Sequence, residues 1–213
     1  MKKLALLLVN GFLIGCASSG GELLELPFYS DETFTAEWIS PDDPAYEQIH
    51  TIPDFQFVNQ EGQLVTNSDF EGKIYVANFF FTLCPTVCPK MEANLSLIQD
   101  EFKDNERVKI LSHTVMPWAD SVSRLKEYAI QNDIDARQWH LVTGVQEDLY
   151  RMGRLGYFAD EGFGKGLTDL DDFLHTENMV LVDQKGRIRG IYNGTLKLEM
   201  KRMIEDIRQL LVD

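Results

Sequence analysis

Residues 74–81 form an apolar, aromatic run without charge, and three residues further on the chain reaches Cys84 and then Cys88. β-Branched and aromatic residues in a run too short for a helix predict a buried strand. From Pro89 onward, Met91, Leu95, Ile98 and Phe102 recur at steps of four and three, as one helical face requires. Proline suits the first helical turn and drives the residue before it out of the helical region. The segment from Cys84 to Cys88 therefore reads as a strand-to-helix loop, with both thiols near the positive end of a helix. That position favours thiolate over thiol. The thiolate is the reactive, metal-binding form.

The remaining pattern builds a sheet around this unit. Residues 55–58 and 64–66 read as a hairpin about the five-residue turn 59–63. Residues 108–115 are a second core strand, followed by a helix with Asp120 or Ser121 as cap and Val122, Leu125 and Ala129 inward. A short strand at 139–142 precedes a helix lined by Val145, Leu149 and Met152. The stretch 156–172 contains four glycines, but Asp160, Glu161, Asp169, Asp171 and Asp172 would repel a phosphate, so it reads as a mobile surface loop. A second hairpin follows at 179–183 and 187–192. Leu196, Met200, Met203, Ile204, Ile207 and Leu211 then give the apolar face of a terminal helix. Strands alternating with helices, closed by a hairpin and a helix, predict an α/β domain whose central mixed sheet carries helices on both faces.

The first residues follow a different logic. Lys2 and Lys3 precede an apolar run, residues 4–14, too short to span a bilayer comfortably. It ends in Leu13-Ile14-Gly15-Cys16, followed by small residues. This resembles a bacterial lipoprotein signal, which implies cleavage before Cys16 and acylation of that cysteine, with several acyl chains giving a stable anchor. Residues 1–15 are thus expected to be a signal peptide, 16–50 a lipidated and partly packed tether, and 51–213 the folded domain. As a flexible coil, roughly 30 residues would reach only about 30 Å, so the domain works close to its membrane. The formal charge of −14 argues against nucleic acid, which needs a basic face. Three cysteines do not make a disulfide scaffold.

The element order resembles a thioredoxin-like fold with an N-terminal hairpin extension. Within it, residues 81–89, FTLCPTVCP, resemble the CPxxCP core of the Sco/SenC family, copper-handling proteins of cytochrome c oxidase assembly. Residues 114–121, 139–144 and His175-Thr176 ahead of the second hairpin agree with that family, over roughly residues 51–211. The resemblance implies Cys84, Cys88 and His175 as copper ligands, for Cu+ or Cu2+, and Cys84 with Cys88 as a redox pair able to form a disulfide. The lipoprotein-like signal ending at Cys16 in turn implies an extracytoplasmic protein anchored in a bacterial envelope. The partner would be the copper-site subunit of cytochrome c oxidase or another copper carrier. Two departures stand out: Met116 occupies the place of the family's usual aspartate, and Gln184 that of a common proline.

The chemistry agrees with this. Copper(I) prefers soft thiolates and tolerates imidazole, and oxidation of the pair would remove two ligands at once. A structural disulfide is the plain alternative in an oxidising compartment, but so short a loop would constrain the unfolded chain little. His113, in mid-strand, is expected to pack or to satisfy a local hydrogen bond, while His50 and His140 have only generic prospects. The methionines read as core, except Met116, a soft sulfur near a strand end. The leading function is copper delivery. The alternative is an extracytoplasmic thiol–disulfide reductase acting on an oxidase subunit, against which the wider CxxxC gap and His175 both count. A peroxidase would need a threonine and an arginine around one reactive cysteine, and Thr82 and Thr86 lack that spacing.

Overall fold

Strand β3 (Ile74–Phe80) is buried along its whole length and lies in the middle of the sheet. Its side chains alternate: Ile74, Val76 and Phe80 join the core on one face, and Tyr75, Ala77 and Phe79 the core on the other. Asn78 breaks the apolar run without leaving an unmet group, because the Ser112 hydroxyl donates to its Oδ1 at 2.5 Å and the Trp139 indole N–H donates to Ser112 at 2.8 Å. Each large apolar side chain so buried contributes about 1.5–3 kcal/mol. The expected strand is therefore the core's central element.

The computed structural model describes residues 25–159 and 176–212. The hairpin of β1 (Gln56–Asn59) and β2 (Leu64–Thr66) turns through Gly62, whose positive φ of 74° suits glycine. Next in the chain, β3 leads into helix α1 (Cys88–Glu101), β4 (Val108–Thr114), helix α2 (Val122–Gln131) and β5 (Trp139–Thr143). Helix α3 (Gln146–Arg151) continues as a wide turn over Met152–Gly156. After the second described segment begins, β6 (Asn178–Val182), β7 (Ile188–Asn193) and helix α4 (Lys197–Val212) complete the domain.

The seven strands run in the order β2-β1-β5-β4-β3-β6-β7. Strands β3, β4 and β5 are parallel, with Phe80 opposite Thr114 and His113 opposite Val142. The two hairpins extend this parallel centre on either side as antiparallel edges. Leu95 and Ile98 of α1, Leu125 of α2 and Met200 and Met203 of α4 cover one face. Leu149, Tyr150 and Met152 cover the other with Phe57 and Phe70 of the hairpin region. This is the expected α/β thioredoxin-like arrangement, a mixed sheet between helices.

The segment before Thr51 is built onto the β7 edge. The Tyr29 amide donates to the Ile188 carbonyl at 3.1 Å, and Phe28 is buried. Arg189 reaches back to the carbonyls of Leu26 at 2.6 Å and Pro27 at 3.1 Å while pairing with Asp183 at 3.3 Å. Its guanidinium also lies over the Phe28 ring at 4.2 Å, and that of Arg187 over Tyr46 at 4.1 Å.

Candidate functional site

Both cysteines lie where the parallel centre of the sheet ends. The Val115 amide donates to Phe80 at 2.9 Å, closing the β3–β4 ladder, and the Cys84 amide donates to Phe81 at 3.2 Å, turning the chain over the sheet edge. No side chain caps α1; Val87 precedes it in helical conformation. Instead the first amide of the helix, that of Cys88, donates to the sulfur of Cys84 at 3.4 Å. Both are free thiols in this structure.

The two thiols differ sharply in environment. Burial would push the Cys84 thiol up, but it is outweighed by the amides of Cys88, Thr86 and Val87 and by the Cys88 thiol, so Cys84 is held below its ordinary value. Cys88 is 7% exposed, and burial, assisted by the nearby Cys84, pushes its thiol up to about 12. The expectation that the helix start favours thiolate at both positions is corrected here. Oriented amides act on Cys84, whereas Cys88 is the first residue of the helix proper and turns into the core. Around it lie Phe80, Leu95, Trp139 and Leu141, with Glu92 and Tyr128 bounding the same small cavity. The Tyr128 hydroxyl donates to the Glu92 carboxylate, which burial holds above its usual range.

Asp120 is likewise not the cap of α2. Ser121 takes that role, accepting from the Arg124 amide at 3.3 Å. The Asp120 side chain turns inward and is fully buried. It accepts from the Thr82 hydroxyl at 2.6 Å, the Thr82 amide at 3.2 Å and the Thr114 hydroxyl at 2.5 Å. Arg124 donates to the Thr82 hydroxyl at 2.6 Å and lies 3.9 Å from the Asp120 carboxylate. Sequence spacing gives no link between Thr82 and Asp120, so this cluster is invisible until β3 and β4 are paired.

Met116 is half-buried and packs on the sheet face opposite to that of the cysteines. His113 is fully buried between Phe57, Phe79 and Tyr157, with its ring stacked on Phe79 at 5.0 Å. Neither of its ring nitrogens has a hydrogen-bond partner among the described residues. Burial pushes its pKa down to about 3, against an opposing influence of the Asn78 backbone. His140 sits beside the Asn59 amide group at 3.3 Å, and His50 against the Gly156 carbonyl at 2.8 Å.

His175 and Cys16 lie outside the described residues, as do residues 160–172 of the glycine-rich stretch. Thr176 is described and buried two residues before β6, which pairs antiparallel with β3 from Tyr75↔Val182 to Ala77↔Val180. Among the described residues no group of three His, Cys, Asp or Glu side chains is arranged to hold a metal ion, and no helix is long and apolar enough to cross a membrane.

Paired soft donors on a sheet edge, one reactive and one buried, suit either metal capture or thiol exchange. Comparisons with known proteins bear on the choice. The SCO1/SenC family model matches residues 43–212. A SCO1 protein homolog of Bacillus subtilis is 29% identical over 163 residues, covering 75% of this chain and 82% of its own. The crystal structure of a SCO1/SenC family lipoprotein from Bacillus anthracis superposes with a TM-score of 0.65 at 29% identity, covering 76% of this chain and 95% of that one. BsSco, described as a member of the Sco family of cytochrome c oxidase assembly proteins with a disulfide switch, superposes with a TM-score of 0.64 at 27% identity, covering 76% and 94%.

Proposed function

Because the chain belongs to the SCO1/SenC family, we propose that it is a membrane-tethered copper-binding protein that delivers copper to the copper-site subunit of cytochrome c oxidase. The observation that carries this reading is the meeting of Cys84 and Cys88 at the start of α1, where the sulfur of one accepts from the amide of the other. Two thiolates at that spacing are a soft donor pair suited to copper(I), which travels as cargo. Oriented amides favour the Cys84 thiolate before metal arrives. Cys88 surrenders its proton only against a strong competing bond, which the ion supplies.

His175 completes the set in this reading. Its covalent neighbour Thr176 is buried just before β6, which runs antiparallel to β3 and so starts near the end of β3 that leads into the cysteine loop; this supports a short reach from one to the other. Cys16 is the acylated anchor, placing the domain outside the cytoplasm on the surface of a bacterial membrane. The lipoprotein nature of the Bacillus anthracis relative supports that assignment.

Anaerobic copper(I) titration of the reduced full-length protein in detergent tests the reading, wild type against His175→Ala. One equivalent should bind to the wild type, and losing one ligand of three should weaken binding by at least about tenfold. Absence of stoichiometric binding, or an unaltered His175→Ala variant, would refute it.

The asymmetry of the two thiols favours a second reading, a thiol–disulfide reductase. The Cys84 thiolate would attack a partner's disulfide, releasing one partner thiolate and leaving a mixed disulfide. Cys88, deprotonated, would then displace the second partner thiolate as the Cys84–Cys88 disulfide forms, so that two electrons pass to the partner. In that case His175→Ala leaves activity intact and Cys84→Ser abolishes it.

A further inference from the structure

The carboxylate of Asp120 has no exposure to solvent, yet it touches neither cysteine. Its partners come from three elements that meet at the sheet edge: Thr82 just past β3, Thr114 at the end of β4, and Arg124 in the first turn of α2. We infer that Asp120 is a positioning residue for Cys84, acting through Thr82, and that Arg124 completes the clamp. This rests on the proposed function only in taking Cys84 as the working sulfur.

The argument starts from what the loop lacks. Beyond Phe80 the ladder ends, and the amide of Thr82 would otherwise go unpaired at a half-buried position. Asp120 accepts that amide and the Thr82 hydroxyl together, which fixes both the backbone and the side-chain rotamer of this residue. The hydroxyl cannot rotate away, since it donates to Asp120 while accepting from Arg124. Only Leu83 separates Thr82 from Cys84, and the Cys84 amide is itself tied to Phe81 at 3.2 Å. Two adjacent anchors therefore leave little freedom at the point where the sulfur must meet the α1 amides.

Asp120 is also tied from behind. Its amide and that of Ala119 donate to the Met116 carbonyl at 2.9 Å, and the Met116 amide donates to the Thr114 hydroxyl at 3.0 Å. The turn over residues 116–120 is thus closed on itself, and its carboxylate forms a rigid post under the cysteine loop. Charge-assisted bonds to a buried carboxylate are the stronger kind, and removing one partner leaves the others poorly satisfied. A merely structural carboxylate would affect folding alone. A positioning one also alters the sulfur it supports.

The test uses the full chain in detergent and three variants: Thr82→Val, which removes the hydroxyl at nearly constant shape, Thr82→Ser, which keeps it, and Asp120→Asn. The first measurement is metal-free: the rate at which Cys84 of the reduced protein is alkylated by iodoacetamide at neutral pH. Thr82→Val should slow it by about threefold or more, as the sulfur loses its alignment with the amides, and Thr82→Ser should restore it. The second is copper(I) affinity, expected to fall about tenfold in Thr82→Val and to recover in Thr82→Ser. Should Asp120→Asn fail to fold, the Thr82 pair still decides. If Thr82→Val melts earlier but alkylates and binds copper as the wild type does, the cluster is only structural and the inference falls. If the wild type binds no copper while Thr82→Val still slows alkylation, the proposed function fails and the positioning role stands.

Discussion

The amide of Cys88 points at the sulfur of Cys84 across 3.4 Å, so the buried cysteine's own backbone helps to ionise the half-buried one. The pair is therefore asymmetric by construction, and most of its chemistry begins at Cys84.

That asymmetry predicts selective modification. Iodoacetamide at neutral pH should label Cys84 faster than Cys88 by roughly a hundredfold or more, since the thiolate is the nucleophile and Cys88 is both buried and protonated. Peptide mass spectrometry of briefly treated, reduced protein checks this. Equal labelling of the two would contradict the assignment.

For the metal site, X-ray absorption of the copper(I)-loaded protein should report two sulfurs and at least one nitrogen around the ion. His175→Ala should lose the nitrogen and keep both sulfurs. A third sulfur would bring in Met116, whose packing on the far face of the sheet makes that outcome the unexpected one.

Acid sensitivity should trace in part to His113. Its folded pKa lies near 3, below its ordinary value of 6.5, so the unfolded chain binds the proton more readily. Stability is then fully present above about pH 6.5 and declines as pH falls toward 3, by about 2 kcal/mol at pH 5. His113→Phe should flatten this slope in urea titrations at pH 7 and pH 5. It should also add about 1–3 kcal/mol at neutral pH, because two unmet ring nitrogens leave an aromatic setting. A residual slope from His140, which burial pushes down to about 4, should persist.

Arg189→Ala should release the N-terminal segment. It removes the donors to Leu26 and Pro27 and leaves Asp183 without its ion-pair partner at a buried position, at a cost of about 3–5 kcal/mol. Limited proteolysis should then cut near residues 26–40 well before the domain melts. Resistance equal to that of the wild type would show that the buried Phe28 and the Tyr29–Ile188 bond hold the segment without Arg189.

The strands and helices were legible because their apolar periods are strong: β3 is continuous, and α1 repeats at Met91, Leu95 and Ile98. The cysteine loop was legible from its spacing and from Pro89. What the sequence could not convey is direction. Asp120 and Ser121 both stand where a helix cap belongs; Ser121 takes it, because the pairing of β3 with β4 offers Asp120 Thr82 and the inward contacts win. Cys88 reads as a second reactive thiol until α1 is packed, when it joins Phe80 and Leu95 in one buried core. The clasp of Arg189 on Leu26 joins residues far apart in the chain, which no local pattern encodes.

That clasp sets the length of the leash. With Cys16 acylated as proposed, the clasp at Leu26 lies only ten residue steps from the anchor, a contour of at most about 35 Å. So anchored, the domain would be confined to a thin layer over its membrane. Encounter with another membrane protein becomes a search in two dimensions, at an effective concentration far above what the same number of freely diffusing molecules would provide. Cutting the clasp would lengthen the leash and dilute the domain without altering a single metal ligand.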